Sequence, residues 1–376
     1  MKYITIQKPY DIKLKNTITK YMTPKYVALP ILEEITFSKS TVKKEEKIAN
    51  QIISPISGKI IGEEECVLAS GKKQRCLLIE NNYHEAIYKK NYVRKNLTDM
   101  SPKEVQKELE AWGSLELQKK FWHISENLIC NTIEDEPYVE NETFISIQYT
   151  NILLETLDAL RTIFGLKQIC IVAQNNNRNL IETFSNFLGT YPHIELKFIP
   201  PYYLLEQEPF LKKYLHNEKI TVLKPSEVLQ IYQIIKRRKK LTEHIFTVSG
   251  NAIENPQVIE AKFGTSIAEI RKELIKETEQ DSIIYINGLM KGLNFNIKKL
   301  IVTPELKSIF IMKREEKSSE NCINCGKCYQ ICPIHCNPRA YLDNRKKEEI
   351  KHCIDCGLCS YICPSHINLR KEIQGD

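Results

Sequence analysis

The sequence predicts a multidomain chain that mixes α/β and α+β folds, and three observations lead there. At 376 residues the chain exceeds what one ordinary core supports, so roughly two to four domains are expected. Helices and strands alternate with short links through its middle, the pattern of a parallel sheet. Nine of its 13 cysteines lie between Cys322 and Cys363, so the end of the chain is built on different chemistry. The expected segments are a β-rich module over 1–95, an α/β module over 96–240, a small α+β module over 241–315 and a cysteine-rich tail over 316–376.

Composition narrows the class. Hydrophobic content of 42% and charged content of 27% are those of a globular protein. No apolar run reaches the roughly 18 residues a bilayer span needs. The opening "MKYITIQKPYDIKLK" lacks the apolar core of a signal peptide, so a cytoplasmic protein with reduced thiols is expected. The net charge of +7 is spread along the chain. Its densest run, "KRRKK" at 236–240, closes a helical pattern carried by Val228, Leu229, Tyr232 and Ile235. Cations there offset the carbonyl end of a helix, and no aromatic-interleaved basic patch points to nucleic acid.

In the first module, "KYVALPIL" and "CLLIEN" read as strands, and "SPISGKIIGEEE" as a tight hairpin with Gly58 in the turn. The "SPISGKII" stretch resembles barrel-sandwich hybrid modules that carry lipoyl or biotinyl groups. Lys59 lacks the flanks of a modified lysine and is expected to be scaffold.

The second module opens at "SPKEVQKELEAW", where Ser101 caps, Pro102 takes the first helical position and Glu104 completes a capping box. "NILLETLDALRTIFG" and "NRNLIETFSNFLG" are helices stopped by Gly165 and Gly189, followed by the strands "QICIVA" and "IELKFIP". In the third module, the strands "HIFTVSG" and "QVIEAKFG" precede a helix capped at Ser266 with Glu269 three residues on, then the strand "SIIYIN". This is a β-grasp-like unit. The polar "KREEKSSEN" reads as a linker to the tail.

The tail carries C-x2-C-x2-C-x3-C-P twice, at Cys322, Cys325, Cys328, Cys332 and at Cys353, Cys356, Cys359, Cys363. Two-residue gaps let three thiolates converge from one tight loop, and Gly326 and Gly357 let the backbone follow closely. In such pairs the fourth cysteine ligates the other cluster. The expected sets are therefore Cys322, Cys325, Cys328 and Cys363 for one [4Fe–4S] cluster, and Cys332, Cys353, Cys356 and Cys359 for the second. Zinc also uses C-x2-C pairs, but it leaves the third cysteine and the following prolines without a role. His335 and Cys336 fall outside the pattern and are expected to be bystanders. The scattered Cys66, Cys76, Cys130 and Cys170 read as small buried residues.

The order of modules, with "CNTIEDEPYVENE", "FTVSGNAIENPQVIEAKFGTS", "INGLMKG" and the cysteine tail, resembles the RnfC family, the C subunits of Rnf electron-transport complexes. The middle portion of that family is in turn similar to the flavin-carrying subunit of respiratory complex I. The resemblance implies a β-grasp module of the SLBB kind and a two-cluster ferredoxin-type tail. It implies an electron-transfer subunit docked peripherally on the cytoplasmic face of the cell membrane. Its partners would be the other subunits of an ion-translocating complex, with NADH or a ferredoxin as donor or acceptor. It further implies that Asn131, Glu134, Glu136 and Pro137 lie near FMN and nicotinamide.

Against the flavin stands the loss of the family's glycine-rich phosphate loop. Its place is taken by "AWGSLELQKKFWH", where Gly113 stands alone and Leu115, Glu116 and Leu117 put side chains where a dianion would lie. The whole chain has 13 glycines, roughly half the usual share, and no G-x-G. A later flavin-contacting segment is replaced by "TVLKPSEV", where Pro225 removes a donor. "EDEPYVENE" then reads as an acidic surface turn. The leading expectation is an electron relay. A flavin-dependent NADH dehydrogenase or soluble reductase using the same clusters is the alternative, and a zinc-stabilised scaffold the third reading.

Overall fold

The computed structural model describes residues 3–32, 39–49, 52–84, 86–87, 96–237, 241–279, 281–314 and 321–374. The end of the basic run, 238–240, and most of the expected linker, 315–320, lie outside the described residues.

The middle of the chain builds a four-stranded sheet in the order Ile194–Ile199, Gln168–Gln174, Asn127–Asn131, Ile220–Leu223, with every pairing parallel. Successive side chains leave opposite faces of a strand. Leu128, Cys130, Ile169, Ile171, Ala173 and Leu223 accordingly pack into the larger core with helices Thr150–Phe164 and Pro225–Arg237. Ile129, Cys170, Val172, Ile199, Ile220 and Val222 enter a second core on the other side. Burial on both faces explains the unbroken apolar run "QICIVA".

The capping box forms as expected: Ser101 Oγ accepts from the Glu104 N–H at 3.3 Å, and Glu104 Oε2 accepts from the Ser101 N–H at 2.9 Å. Val228, Leu229, Tyr232 and Ile235 are all buried on their helix. Both helices end where expected: Gly165 caps its helix in the left-handed region at φ 63°, and Gly189 follows Leu188, the last residue of its helix, in the right-handed region at φ −57°.

A five-stranded sheet follows, ordered Ile18–Tyr21, Gln257–Lys262, Glu243–Ser249, Ser308–Lys313, Ser282–Ile286, and helix Ile267–Leu274 seats Ile267 and Ile270 in its core. Its first strand comes from the start of the chain and lies parallel to Gln257–Lys262. The strand Ser308–Lys313, buried along most of its length, was not marked by the sequence patterns. Ser266 takes the cap position without a side-chain hydrogen bond, and Glu269 reaches instead to the Tyr21 hydroxyl and the Lys25 N–H.

The remaining N-terminal strands, Tyr26–Pro30, Lys73–Asn81, Gly58–Val67 and Thr41–Val42, form an antiparallel sheet in that order. Gly58 is not the turn residue expected. It begins a strand pressed against the Glu80 carbonyl, whose oxygen would lie 2.0 Å from a Cβ at this position. The turn is at Leu68–Lys72, where Gly71 has φ 79°. Lys59 lies exposed within the strand, away from any turn tip.

The tail is two copies of one unit. Short helices Lys327–Ile331 and Pro338–Asn344 recur as Leu358–Tyr361 and Leu369–Gln374.

Candidate metal centres

Each cysteine loop is shaped by left-handed residues. Asn324 and Gly326 have φ of 61° and 69° between the first three cysteines of one motif, and Asp355 and Gly357 have 55° and 77° in the other. These reversals turn the loop on itself so that three thiols share a concave side. Cys322, Cys325 and Cys328 line one cavity together with Cys363 from the far end of the second motif. Cys353, Cys356 and Cys359 line the other together with Cys332 from the far end of the first. Among the described residues no three His, Cys, Asp or Glu side chains converge on a single-ion position. The thiols ring cavities instead.

Burial pushes the Cys356 thiol up to about 11 and the Cys359 thiol to about 12. Holding such groups as thiolates requires a positive partner beside them, which iron supplies. The donor set therefore fits iron–sulfur clusters. His335 is exposed and stays outside. Cys336 does not: it is buried in the wall of the second cavity, and its backbone N–H donates to Cys332 Sγ at 3.2 Å.

The second loop rests on the body of the protein. Leu358 is buried in the core that covers the parallel sheet, beside Ile129, Ile133 and Val172. Tyr203 Oη donates to the Cys356 carbonyl at 2.9 Å, and Arg370 Nη1 donates to the Gly292 carbonyl at 3.0 Å. A Cβ on Gly357 would stand 2.2 Å from the Met290 carbonyl oxygen. The start of the chain closes over the same region. Ile4 accepts from the Tyr203 N–H, the Tyr3 ring packs against Tyr202 and Tyr214, and the Gln7 N–H donates to Tyr361 Oη. The first loop is open by comparison, with Cys322, Cys325 and Ile323 exposed.

Asn131 ends the strand at which the parallel sheet reverses its order, the place where open α/β sheets hold ligands. Here protein groups take up its polar atoms. Asn131 Nδ2 donates to the Leu205 carbonyl at 3.1 Å, and its Oδ1 accepts from the Ile133 N–H at 3.2 Å. Glu134 accepts from the Thr143 N–H at 2.8 Å, and burial with the nearby Glu142 carboxylate raises its pKa. Glu136 receives the N–H groups of Met290 and Lys291 at 2.9 and 3.0 Å, and so fastens the Gly288–Gly292 turn to the sheet. Burial pushes it up to about 7, against the pull of Lys291 and those N–H groups. Burial would likewise raise Asp135, but ion pairs with Lys224 and Lys307 hold it well below the usual carboxylate range.

The segment "EDEPYVENE" is therefore not the acidic surface turn its composition suggested. Asp135, Glu136 and Glu142 are all buried, because lysines from distant segments converge on them. Tyr203, Glu206 and Lys307, which no sequence motif marked, complete this network with Lys224 and Lys291, which lie in the quoted "TVLKPSEV" and "INGLMKG" stretches without having been singled out there. Nor does the stretch at Gly113 form a cradle. It is a corner between helices Pro102–Trp112 and Leu115–Trp122, with Ser114 Oγ accepting from the Leu117 N–H at 3.2 Å and Leu117 and Phe121 buried. Pro225 simply opens the following helix. As folded, these residues do not fit a flavin phosphate.

A cysteine tail of this geometry on an α/β body defines an iron–sulfur protein, and residues 313–364 match the 4Fe-4S dicluster domain. The tail is such a domain, with cysteines for two [4Fe–4S] clusters. Over most of its length the chain resembles RnfC, the C subunit of the Rnf-type, ion-translocating oxidoreductase complexes. It is 23% identical over 308 residues to the C subunit of the Na(+)-translocating ferredoxin:NAD(+) oxidoreductase complex of Acetobacterium woodii, covering 75% of this chain and 70% of that one. It is 21% identical over 226 residues to the C subunit of the ion-translocating oxidoreductase complex of Rhodobacter capsulatus, covering 56% of this chain and 44% of that one. It thus spans less than half the length of the second relative. Among solved structures, an NAD+-reducing [NiFe]-hydrogenase in the H2-reduced state superposes with a TM-score of 0.47 at 12% identity, over 58% of this chain and 47% of that one.

Proposed function

We propose that this chain is an electron-transfer subunit of a membrane-bound, ion-translocating oxidoreductase complex. Cys322, Cys325, Cys328 and Cys363 hold one [4Fe–4S] cluster, and Cys332, Cys353, Cys356 and Cys359 hold the second. Each cluster, when bound, exchanges single electrons. The chain's own residues supply the thiolates, the tight loops and the apolar walls that limit water. The observation carrying this reading is the pair of cavities, each ringed by three cysteines of one motif and the fourth of the other. In this reading partner subunits attach the chain at the cytoplasmic face of the membrane; no described helix is long and apolar enough to cross one.

The module boundaries 1–95, 96–240, 241–315 and 316–376 serve this reading, with strand Ile18–Tyr21 lent by the first module to the third. The first reads as barrel-sandwich-hybrid-like and the third as β-grasp of the SLBB kind. The flavin-dependent NADH dehydrogenase alternative keeps one point in its favour, the position of Asn131 at the reversal of the sheet. The engagement of Asn131, Glu134 and Glu136 by protein groups weighs against it.

The test is the visible spectrum and metal content of anaerobically purified protein. About eight iron atoms per chain and a broad absorption bleached by dithionite but unmoved by NADH are expected. A colourless zinc protein would overturn the proposal, and a flavin band bleached by NADH would favour the enzyme reading.

A further inference from the structure

The two halves of the tail repeat with matching roles. Asn324 and Asp355 occupy the same left-handed position between the first two cysteines of each motif. Asn337 and Asn368 both accept from a backbone N–H three residues on. Arg339 and Arg370 follow each by two residues, and each lines the cavity of its own half. Because the frames match, charge differences at paired positions stand out.

At the second site Asp355 lies in the cysteine loop, and its two oxygens receive Arg370 Nε and Nη2 at 2.6 Å each. Gln374 Nε2 adds a third bond at 3.1 Å, and Arg370 Nη1 is taken by the Gly292 carbonyl. The cation there is fully compensated. At the first site the matching loop residue is the neutral Asn324. Arg339 Nε is buried with no partner among the described residues, and Nη2 lies 3.4 Å from the largely exposed carboxylate of Asp343. The first cavity therefore has a cation in its wall whose counter-charge sits out in solvent, where it is screened.

We propose that Arg339 and Asp355 order the two clusters, giving the one held by Cys322, Cys325, Cys328 and Cys363 the higher reduction potential. This rests on the iron–sulfur reading above. Reduction adds one electron and no proton, so each cluster with its thiolates gains one negative charge. A nearby uncompensated cation favours that charge, and a loop carboxylate opposes it. Burial acts in the same direction, since Cys356 and Leu358 of the second loop are buried in the body and only Cys353 of its ligand set is exposed, while the first set has both Cys322 and Cys325 exposed and none buried. The N–H of Cys336 on Cys332 Sγ works the other way. It is a single dipole set against a full charge and a difference in desolvation.

The experiment is an anaerobic redox titration of the cluster-loaded full chain, followed by electron paramagnetic resonance. Two one-electron steps are expected. Asp355→Asn should raise only the lower step, by about tenfold in its equilibrium constant, or about 59 mV. Asn324→Asp and Arg339→Gln should each lower only the upper step by a similar factor, and Arg339→Lys should restore it. Iron content is measured alongside. A wild-type chain without two clusters would end the functional reading itself. Two clusters present, but Asp355→Asn moving the upper step or Arg339→Gln moving neither, would overturn the ordering alone.

Discussion

Substituting alanine for Gly357 tests whether the tail rests on the body as described. Gly357 has φ 77°, a backbone state that costs an L-residue roughly 1–2 kcal/mol. Its Cβ would also stand 2.2 Å from the Met290 carbonyl oxygen, a backbone atom with no rotamer to relieve the clash. Forcing the two segments apart adds about 1–3 kcal/mol, as overpacking does. Gly326, its counterpart in the first motif, has φ 69° but no atom within 4 Å of its Cβ. Gly326→Ala should therefore carry the backbone term only, and the difference between the variants isolates the contact. The assay is anaerobic urea denaturation followed by the iron–sulfur absorption, comparing midpoints under one protocol. Gly357→Ala should unfold at clearly lower urea than Gly326→Ala, by the equivalent of about 1–3 kcal/mol. Equal midpoints would refute the docking of the second loop on Met290.

Cys356→Ser should remove about half of the bound iron, because it deprives one cluster of a ligand and leaves the other complete; unchanged iron content would refute the ligand assignment. Glu136 has a folded-state pKa of about 7, above its ordinary 4.5, so the folded state favours its protonated form. The stability this gives is present below pH 4.5 and lost as pH rises through 7. Glu136→Gln should therefore gain on wild type across that window, by up to about 3 kcal/mol, and parallel stability–pH curves would refute the burial argument. Glu116→Gly, on the exposed first turn of its helix, should cost about 1 kcal/mol and create no nicotinamide turnover; measurable turnover would reveal a latent flavin site.

Much of the fold was legible because its rules are local. The capping box at Ser101 and Glu104 is written within four residues, and the buried stripe of the Pro225–Arg237 helix follows from its spacing. The cysteine motifs announced both loops, and the crossing of the fourth cysteines followed from a general habit of such motifs. What escaped reading depends on partners far away in the chain. Asp135 looked exposed because nothing near it in sequence is basic, while Lys224 and Lys307 reach it from 89 and 172 residues away. Gly58 looked like a turn because glycine serves both turns and close approaches, and only the position of Glu80 decides between them. The strand Ser308–Lys313 is a short apolar run that periodicity alone cannot assign. Arg339 and Arg370 could have been found by laying one half of the tail over the other.

The strand Ile18–Tyr21 bears on how the protein is made. Thr19 Oγ1 donates to Gln257 Oε1 across 238 residues of chain, inside a parallel pairing that no local turn can close. During synthesis at about 5–20 residues per second, this early segment waits on the order of tens of seconds for its neighbour strand to emerge. Throughout that interval the apolar edge of Ile18 and Tyr21 is open to wrong pairings. The parallel α/β sheet lies wholly between the two and can form first, holding the ends ready. The two cysteine motifs leave the ribosome after the segments they rest on, so cluster assembly meets a body whose docking face is already made.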